Sequence, residues 1–225
     1  MQRNIIVTKD GSPTIRVPDW GVAYHSVHGA IQESMHVFID AGWNEACRIH
    51  AEGPVWVFEM GFGTGLNALL TLIESGKTKR SIFYETIDLN PLLPSETTSL
   101  DYAVRLERPD LEQAWEQMHL GEYDKPTHVS ENFVFEKHQQ DLRDFHAGQP
   151  YHLIYYDAFA PSAQPELWTL AIFEKLYAML MPDGILVTYC AKGAVRRAMQ
   201  AAGFLVEKLQ GPPGKREMLR ARRAS

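Results

Sequence analysis

The chain has 225 residues, 45% hydrophobic and 22% charged, with a formal net charge of −6. These proportions describe a globular protein with one full core and room for a small appendage. No apolar run is long enough to span a bilayer, and the opening MQRNIIVTKD lacks a signal-peptide core. Cys47 and Cys190, the two cysteines, give neither a disulfide framework nor a metal cluster. A reducing cytoplasm is the expected compartment, and the acidic balance argues against a nucleic-acid coat protein.

Residues 1–20 alternate apolar and polar positions (Ile5, Val7; Ile15, Val17) around Asp10-Gly11-Ser12-Pro13, the pattern of a β-hairpin. A loop carrying Tyr24, His25 and Ser26 then leads into a helix expected from about Ile31 through Trp43 and Ala46. His25, His28 and His36 lie close together, but no cysteine or carboxylate arrangement accompanies them, so no metal site is expected.

Residues 55–72 are the stretch that organises the chain. An apolar run ends at Glu59, the glycines Gly61, Gly63 and Gly65 alternate, and a helix-period pattern follows (Leu66, Leu69, Leu70, Leu72, Ile73). This is strand, tight loop and helix, the opening of a nucleotide-binding α/β domain. The spacing is E-x-G-x-G-x-G rather than G-x-G-x-x-G, and no Lys-Ser/Thr pair follows. A carboxylate before the glycines repels a pyrophosphate but suits a ligand bearing an ammonium and a sulfonium, such as S-adenosylmethionine. The competing reading is an ordinary glycine-rich turn.

Residues 81–87 read as a second strand ending at Asp88, 23 residues past Gly65. An acid there is placed to hold a ribose diol; the plainer reading is a turn aspartate before Asn90-Pro91. The polar stretch from Asn90 to Glu131, punctuated by Pro94, Pro109 and Pro126, is expected to be a helical insertion at the sheet rim, a lid or substrate wall. Residues 133–135 form a third strand. Asp141 beyond it is placed to accept from an adenine amino group, and Asp144 reads as helix-surface charge. A fourth strand, 151–156, stops at Asp157.

A helix over 167–180, a turn at Pro182-Asp183-Gly184, a fifth strand over 185–189 and a helix over 193–202 follow. A hairpin around residues 211–214 then closes the sheet. The expected fold is α/β: a doubly wound, mostly parallel sheet with a C-terminal antiparallel hairpin, an N-terminal hairpin extension and an insertion at about 92–130. Residues 1–50 belong to the substrate side and 51–225 to the core. Glu59, Asp88, Asp141 and Asp157 all fall at or just beyond strand C-termini, where ligands bind in such sheets. Asp157 is placed to accept hydrogen bonds from an amine and hold its lone pair toward a methyl donor; the alternative is that it caps the following helix. The basic end (Lys215, Arg216, Arg220, Arg222, Arg223) fits either a solvated terminus or, with Arg196 and Arg197, a rim that contacts phosphates.

Three elements carry a resemblance to a known family. They are residues 59–67 (EMGFGTGLN), Asp157-Ala158-Phe159-Ala160-Pro161 followed by residues 165–168, and residues 214–218 (GKREM). Together with Tyr24, Ser26, Gly29 and Glu33, they resemble the methyltransferase half of the bacterial bifunctional enzyme MnmC and its stand-alone, MnmD-type relatives. The similarity runs from about Gly21 to Arg220 and is weakest across 92–132. It implies a Rossmann-like class I fold that uses S-adenosyl-L-methionine. The implied reaction methylates the 5-aminomethyl group of a wobble uridine, often 2-thiolated, in tRNA. By the same resemblance Glu59, Gly61, Gly63 and Asn67 belong to the methionine end of the cofactor, Asp88 holds the ribose and Asp141 the adenine. Asp157 faces the amine. Tyr24, Ser26, Phe159 and Pro161 lie near the base, and Lys215 and Arg216 lie at the site mouth or on RNA. This chain carries Ala158 and His25 where the family usually has Gly and Phe. No flavin fingerprint is present, so the aminomethyl substrate is expected to come from other enzymes. The rival readings are a small-molecule amine methyltransferase or aminopropyltransferase on the same fold, and a catalytically silent RNA-binding scaffold.

Overall fold

The computed structural model describes residues 2–225. Its centre is an eight-stranded sheet in which β9 (Leu180–Thr188), β8 (Tyr151–Tyr156), β4 (Val55–Met60), β5 (Ile82–Ile87) and β7 (Phe133–His138) run parallel in that spatial order. The chain builds β4, β5 and β7 outward in one direction, then returns to place β8 on the other side of β4. The strand order therefore reverses between β4 and β8, which opens a crevice at their C-terminal ends. Antiparallel strands close both edges: β6 (Thr127–Ser130) beside β7, and β11 (Glu217–Arg222) with β10 (Leu205–Gln210) beside β9.

Period-two alternation explains how two cores form. Val55 and Val57 of β4, Leu153 and Tyr155 of β8, and Ile185 and Val187 of β9 enter one core. Phe58 and Met60, Ile154 and Tyr156, and Leu186 enter the other. The first core is covered by α3 (Leu66–Thr78), α6 (Glu112–Leu120) and a helical rod of α1 (Ala30–Ser34), a π-helical stretch (Met35–Trp43) and α2 (Asn44–Ile49). The second is covered by α7 (Leu170–Met179) and α8 (Gly193–Ala201). Helices on both faces make the sheet doubly wound, as the alternation of strands and helices in the sequence requires.

Several details differ from the sequence expectations. The N-terminal hairpin, β1 (Asn4–Val7) with β2 (Pro13–Val17), gains a short third strand, β3 (Val22–Ala23), and stays separate from the main sheet. The helix after it widens midway: Asn44 N donates to Ile39 O, five residues back. Residues 127–130 are not part of a helical insertion but the strand β6, paired with β7 through a tight turn. Pro182-Asp183-Gly184 is not a break before a new strand; it is an irregularity inside a continuous β9. The helix expected from Leu167 begins later, at Leu170, because the Thr169 hydroxyl accepts from Ile172 N and caps it. A 3-10 turn over Pro165–Trp168 precedes it.

The short insertion helices α4 (Pro94–Thr97) and α5 (Tyr102–Arg105), with α6, do not hang over the site as a lid. Trp115 Nε1 and His119 Nε2 of α6 both reach Thr64 O, at 3.2 and 3.0 Å, and so buttress the glycine loop from behind. Burial pushes the His119 imidazole down to about 4, which keeps it neutral and leaves Nε2–H as the donor. Tyr102 OH donates to Pro13 O at 2.8 Å, tying the insertion to the N-terminal hairpin. Among the described residues no helix is long and apolar enough to cross a membrane.

Candidate active site

The crevice between β4 and β8 is the site. Asp157 N donates to Met60 O at 3.0 Å, continuing the parallel ladder one residue past both strands. Gly61 N donates to Ile87 O at 3.0 Å, so the loop turns away beside the end of β5. Asp88 and Asp157 thereby arrive level with Gly61 from the neighbouring strands, and Glu59 lies two residues back, level with Thr86 and Tyr155. Two glycines let the loop hug this edge. Gly61 has φ +94°, and a Cβ on it would stand 2.9 Å from Asp157 O. Gly63 has φ +50°, and its Cβ would stand 2.8 Å from the Tyr24 ring.

Asn67, at the first turn of α3, joins the acids. Its Nδ2 donates to Glu59 Oε1 and to Asp157 Oδ2, both at 3.0 Å. Glu59 itself is fully buried and also accepts from Thr86 Oγ1 at 3.2 Å. Burial, countered in part by the Asn67 amide, raises the Glu59 carboxyl to about 8. Burial, with Glu33 adding to it, raises Asp157 to about 7. Asp88 accepts from Gly63 N at 3.0 Å and Asn90 N at 2.9 Å, and burial raises it as well.

Around these groups lie two connected spaces. One is bounded by Gly61, Gly63, Asn67, Asp88, Leu89 and Trp20 among others. The other is bounded by Ser26, Glu33, Ala160, Tyr189 and Lys215. Tyr24, His25, Asp157, Ala158 and Phe159 line both. The spaces meet at Asp157.

The first space fits an adenosine-type cation. Asn67 Oδ1 is buried and without a hydrogen-bond partner, an acceptor that an ammonium would satisfy. It stands beside two carboxylates that burial keeps short of charge compensation. Asp88, with each oxygen already taking one N–H, keeps lone pairs for a diol. Asn67 and Asp88 would hold the two ends, with Gly61 and Gly63 allowing close backbone approach. S-adenosylmethionine, when bound, supplies an electrophilic methyl on its sulfonium.

The second space is walled by aromatic rings. Phe159 meets Tyr24 edge-to-face at 5.0 Å in this wall and, on the side of the first space, Trp20 at 5.6 Å. It is fixed at both backbone ends: its N–H donates to Gln164 Oε1 at 3.1 Å, and its carbonyl accepts from Trp168 Nε1 at 2.8 Å. Phe159 and Tyr24, named from the sequence, are thus brought together; Ser26 lines the same cleft.

Other sequence-named residues fall elsewhere. Glu59 does not line the cavity and acts through Asn67. Asp141 stays outside both spaces, its carboxylate taken by Arg143 N, Nε and Nη2 at 2.8, 3.0 and 2.6 Å. Pro161 adjoins Ala160 without lining the cleft, and Arg216 is exposed to solvent. Asp157 caps no helix; Thr169 and Gln164 occupy the cap positions that follow.

Sequence reasoning missed Glu33 and Tyr189 as parts of the site. Tyr189 follows β9 directly, and the strand-end rule that picked out the acids would have found it had it been applied to aromatic residues. Glu33 stands in the sequence only as part of the N-terminal stretch that carries the resemblance, with no role attached to it.

The basic end is also mostly committed. Arg220 pairs with Glu207 at 2.8 Å, Arg222 lies 3.8 Å from Asp183, and Arg223 donates to the Leu180 carbonyl. Near this end Lys192, Arg196, Arg197 and Arg216 are among the described basic residues that make no ion pair. His25 bonds Thr14 Oγ1 at 2.9 Å and His36 meets Gln210 O at 2.8 Å. No group of three His, Cys, Asp or Glu among the described residues is placed to hold a metal.

A doubly wound sheet with its acids gathered at the strand-order reversal defines a Rossmann-like enzyme built around an adenosine-type cofactor. The chain belongs to the S-adenosyl-L-methionine-dependent methyltransferase family, whose model matches residues 108–224. Its cofactor is therefore S-adenosyl-L-methionine. It is 30% identical over 234 residues, 96% of its own length, to the tRNA 5-methylaminomethyl-2-thiouridine biosynthesis bifunctional protein MnmC of Burkholderia mallei. It matches the protein of the same name from Burkholderia pseudomallei equally well. The chain spans 34% of the length of these relatives. Among solved structures it resembles MnmC2 of Aquifex aeolicus, with TM-score 0.75, 23% identity, and coverage of 98% of this chain and 70% of that one. It also resembles spermidine synthase of Thermotoga maritima, with TM-score 0.53, 11% identity, and coverage of 98% and 68%. These two likenesses establish the fold.

Proposed function

We propose that this protein is an N-methyltransferase that converts 5-aminomethyluridine, with or without a 2-thio group, to 5-methylaminomethyluridine at the wobble position of tRNA. The observation that carries the reading is that Asp157 is shared by the two spaces, with the glycine loop, Asn67 and Asp88 on one side and an aromatic-walled, acidic cleft on the other. A primary aliphatic amine arrives protonated at neutral pH, since such amines titrate near 10 as lysine does. Asp157 accepts hydrogen bonds from it and, raised by burial to about 7, is a stronger base toward its proton than an ordinary carboxylate. The Asp157 oxygen not held by Asn67 is free for this. Phe159 and Tyr24, packed edge-to-face, offer a planar base one aromatic wall of the cleft. The similarity to MnmC supports a uridine as acceptor. Phosphate contacts fall to Lys192, Arg196, Arg197 and Arg216. Asp141 keeps the adenine role read from the sequence only if Arg143 releases it.

The test is methyl transfer from labelled S-adenosylmethionine to tRNA from cells lacking this activity, read by nucleoside mass spectrometry. Conversion of aminomethyluridine supports the proposal. Tight cofactor binding with no conversion moves the acceptor to a small-molecule amine.

A further inference from the structure

Lys215 lines the acceptor cleft and stays partly exposed. It sits in the turn between β10 and β11, and its Nζ donates to Glu33 Oε1 of α1, 182 residues away, at 2.5 Å. The other Glu33 oxygen accepts from Ser26 N at 2.7 Å. The same ammonium lies 3.8 Å from the centre of the Tyr189 ring, within cation–π range. Tyr189 OH donates to Ala158 O, next to Asp157, at 2.9 Å. Glu33, Tyr189, Lys215 and Asp157 line one cleft. The Glu33 side chain is 7% exposed, so its charge is costly unless paired.

We propose that Lys215 is a positioning residue for the transfer: clamped by Glu33 and Tyr189, it neutralises the second carboxylate of the cleft, so that Asp157 alone meets the acceptor amine. This rests on the amine-methylating reading of the site. Without the ammonium, Glu33 and Asp157 become two carboxylates in one cleft, and the uncompensated Glu33 charge raises Asp157 further. The surroundings offer no substitute. From the segment between β3 and α1, Tyr24, His25 and His28 face the cleft or its rim. From the end of β9, Tyr189 does so, with Cys190 buried in the core behind it, and from β4, Glu59 reaches the cleft only through Asn67. Burial holds His25 down at about 4, hence neutral, and keeps the Tyr24 and Tyr189 phenols and the Cys190 thiol protonated. Glu59 is a third acid. Lys215 is the compensating charge.

The experiment is a 13C carboxyl NMR titration of the cofactor-free protein, paired with kinetics on aminomethyl tRNA. In Lys215→Met the Asp157 titration rises by about one unit. In Glu33→Gln the Asp157 titration moves the other way, and in the double variant it returns near the wild-type position. The kcat at pH 7 falls about tenfold in Lys215→Met, KM holds, and the double variant recovers most of the loss. An unmoved titration in both single variants overturns the proposal whatever the protein methylates. A rise in KM with no rescue by Glu33→Gln also overturns it and makes Lys215 a substrate contact. If the titrations shift while wild type leaves aminomethyl tRNA untouched, the charge role of Lys215 stands and the uridine reading fails.

Discussion

The cofactor cavity and the acceptor cleft share Asp157 but are built in opposite ways. The cavity is mostly local: β4, the glycine loop and the first turn of α3 supply Gly61, Gly63 and Asn67 within a few residues of one another, and β5 adds Asp88. The cleft is assembled from four distant segments, carrying Tyr24 to Glu33, Asp157 to Ala160, Tyr189 and Lys215. A local site is set by backbone geometry and tolerates few changes at its turns. A distributed one depends on how the N-terminal extension and the C-terminal hairpin dock on the sheet. Cofactor binding and methyl transfer are therefore separable by mutation.

The largest separation is expected from Asp157→Ala. It removes the group that meets the amine, and methyl transfer should fall by about 10²- to 10⁴-fold. Cofactor affinity, measured by calorimetry, should stay within about threefold, since Asn67 keeps its bond to Glu59. A matching loss of cofactor affinity would mean that the two spaces are one.

Gly63→Ala should instead strike both. The new Cβ enters the Tyr24 ring from a left-handed backbone position. The expected outcome is a cofactor Kd weakened about tenfold together with a raised acceptor KM, because Tyr24 belongs to the cleft. Unchanged acceptor KM would show that Tyr24 yields without disturbing Phe159.

The same contrast explains what was legible in the sequence. Glu59, Gly61, Gly63 and Asp88 could be read because strand, turn and helix signals are local, and the strand-end rule places acids without knowing partners. Asp157 was legible for the same reason. Glu33 and Lys215, 182 residues apart in the chain, become neighbours only when α1 and the last hairpin dock, and no periodicity encodes that. Residues 127–130 were hidden because a short polar edge strand, exposed at alternate positions, carries little hydrophobic pattern. Glu59 was read as lining the cofactor, and its position one layer beneath, behind Asn67, depends on side-chain packing that sequence pattern does not specify.

The buried acids also set a pH dependence. Glu59 and Asp157 titrate near 4 in an unfolded chain but near 8 and 7 when folded. Between those values the native state binds more protons than the unfolded one, so stability must fall as pH rises from about 4 to about 8. Thermal unfolding of the cofactor-free protein should show a midpoint that declines over this window by several degrees, since a domain of this size moves about 2–4 °C per kcal/mol. Glu59→Gln should flatten the upper part of the decline. A midpoint that rises with pH would mean that the acids are paired rather than stranded.

The smallest effect is expected at Asp141, and it sharpens the boundary of the cavity. Arg143 takes both Asp141 oxygens, through Nε at 3.0 Å and Nη2 at 2.6 Å, and the residue lines neither space. The pair is partly solvent-exposed, Arg143 more so than Asp141, and such pairs contribute little to stability. Asp141→Asn should therefore change cofactor affinity by less than about threefold. Arg143→Ala provides the converse test, since it releases the carboxylate for an adenine amino group. Tighter cofactor binding in Arg143→Ala, lost again when Asp141→Asn is added, would restore the adenine role read from the sequence and extend the cavity beyond the end of β7. No change in either variant would confine the cofactor's protein contacts to the β4–β5–β8 edge, where the local half of the site already lies.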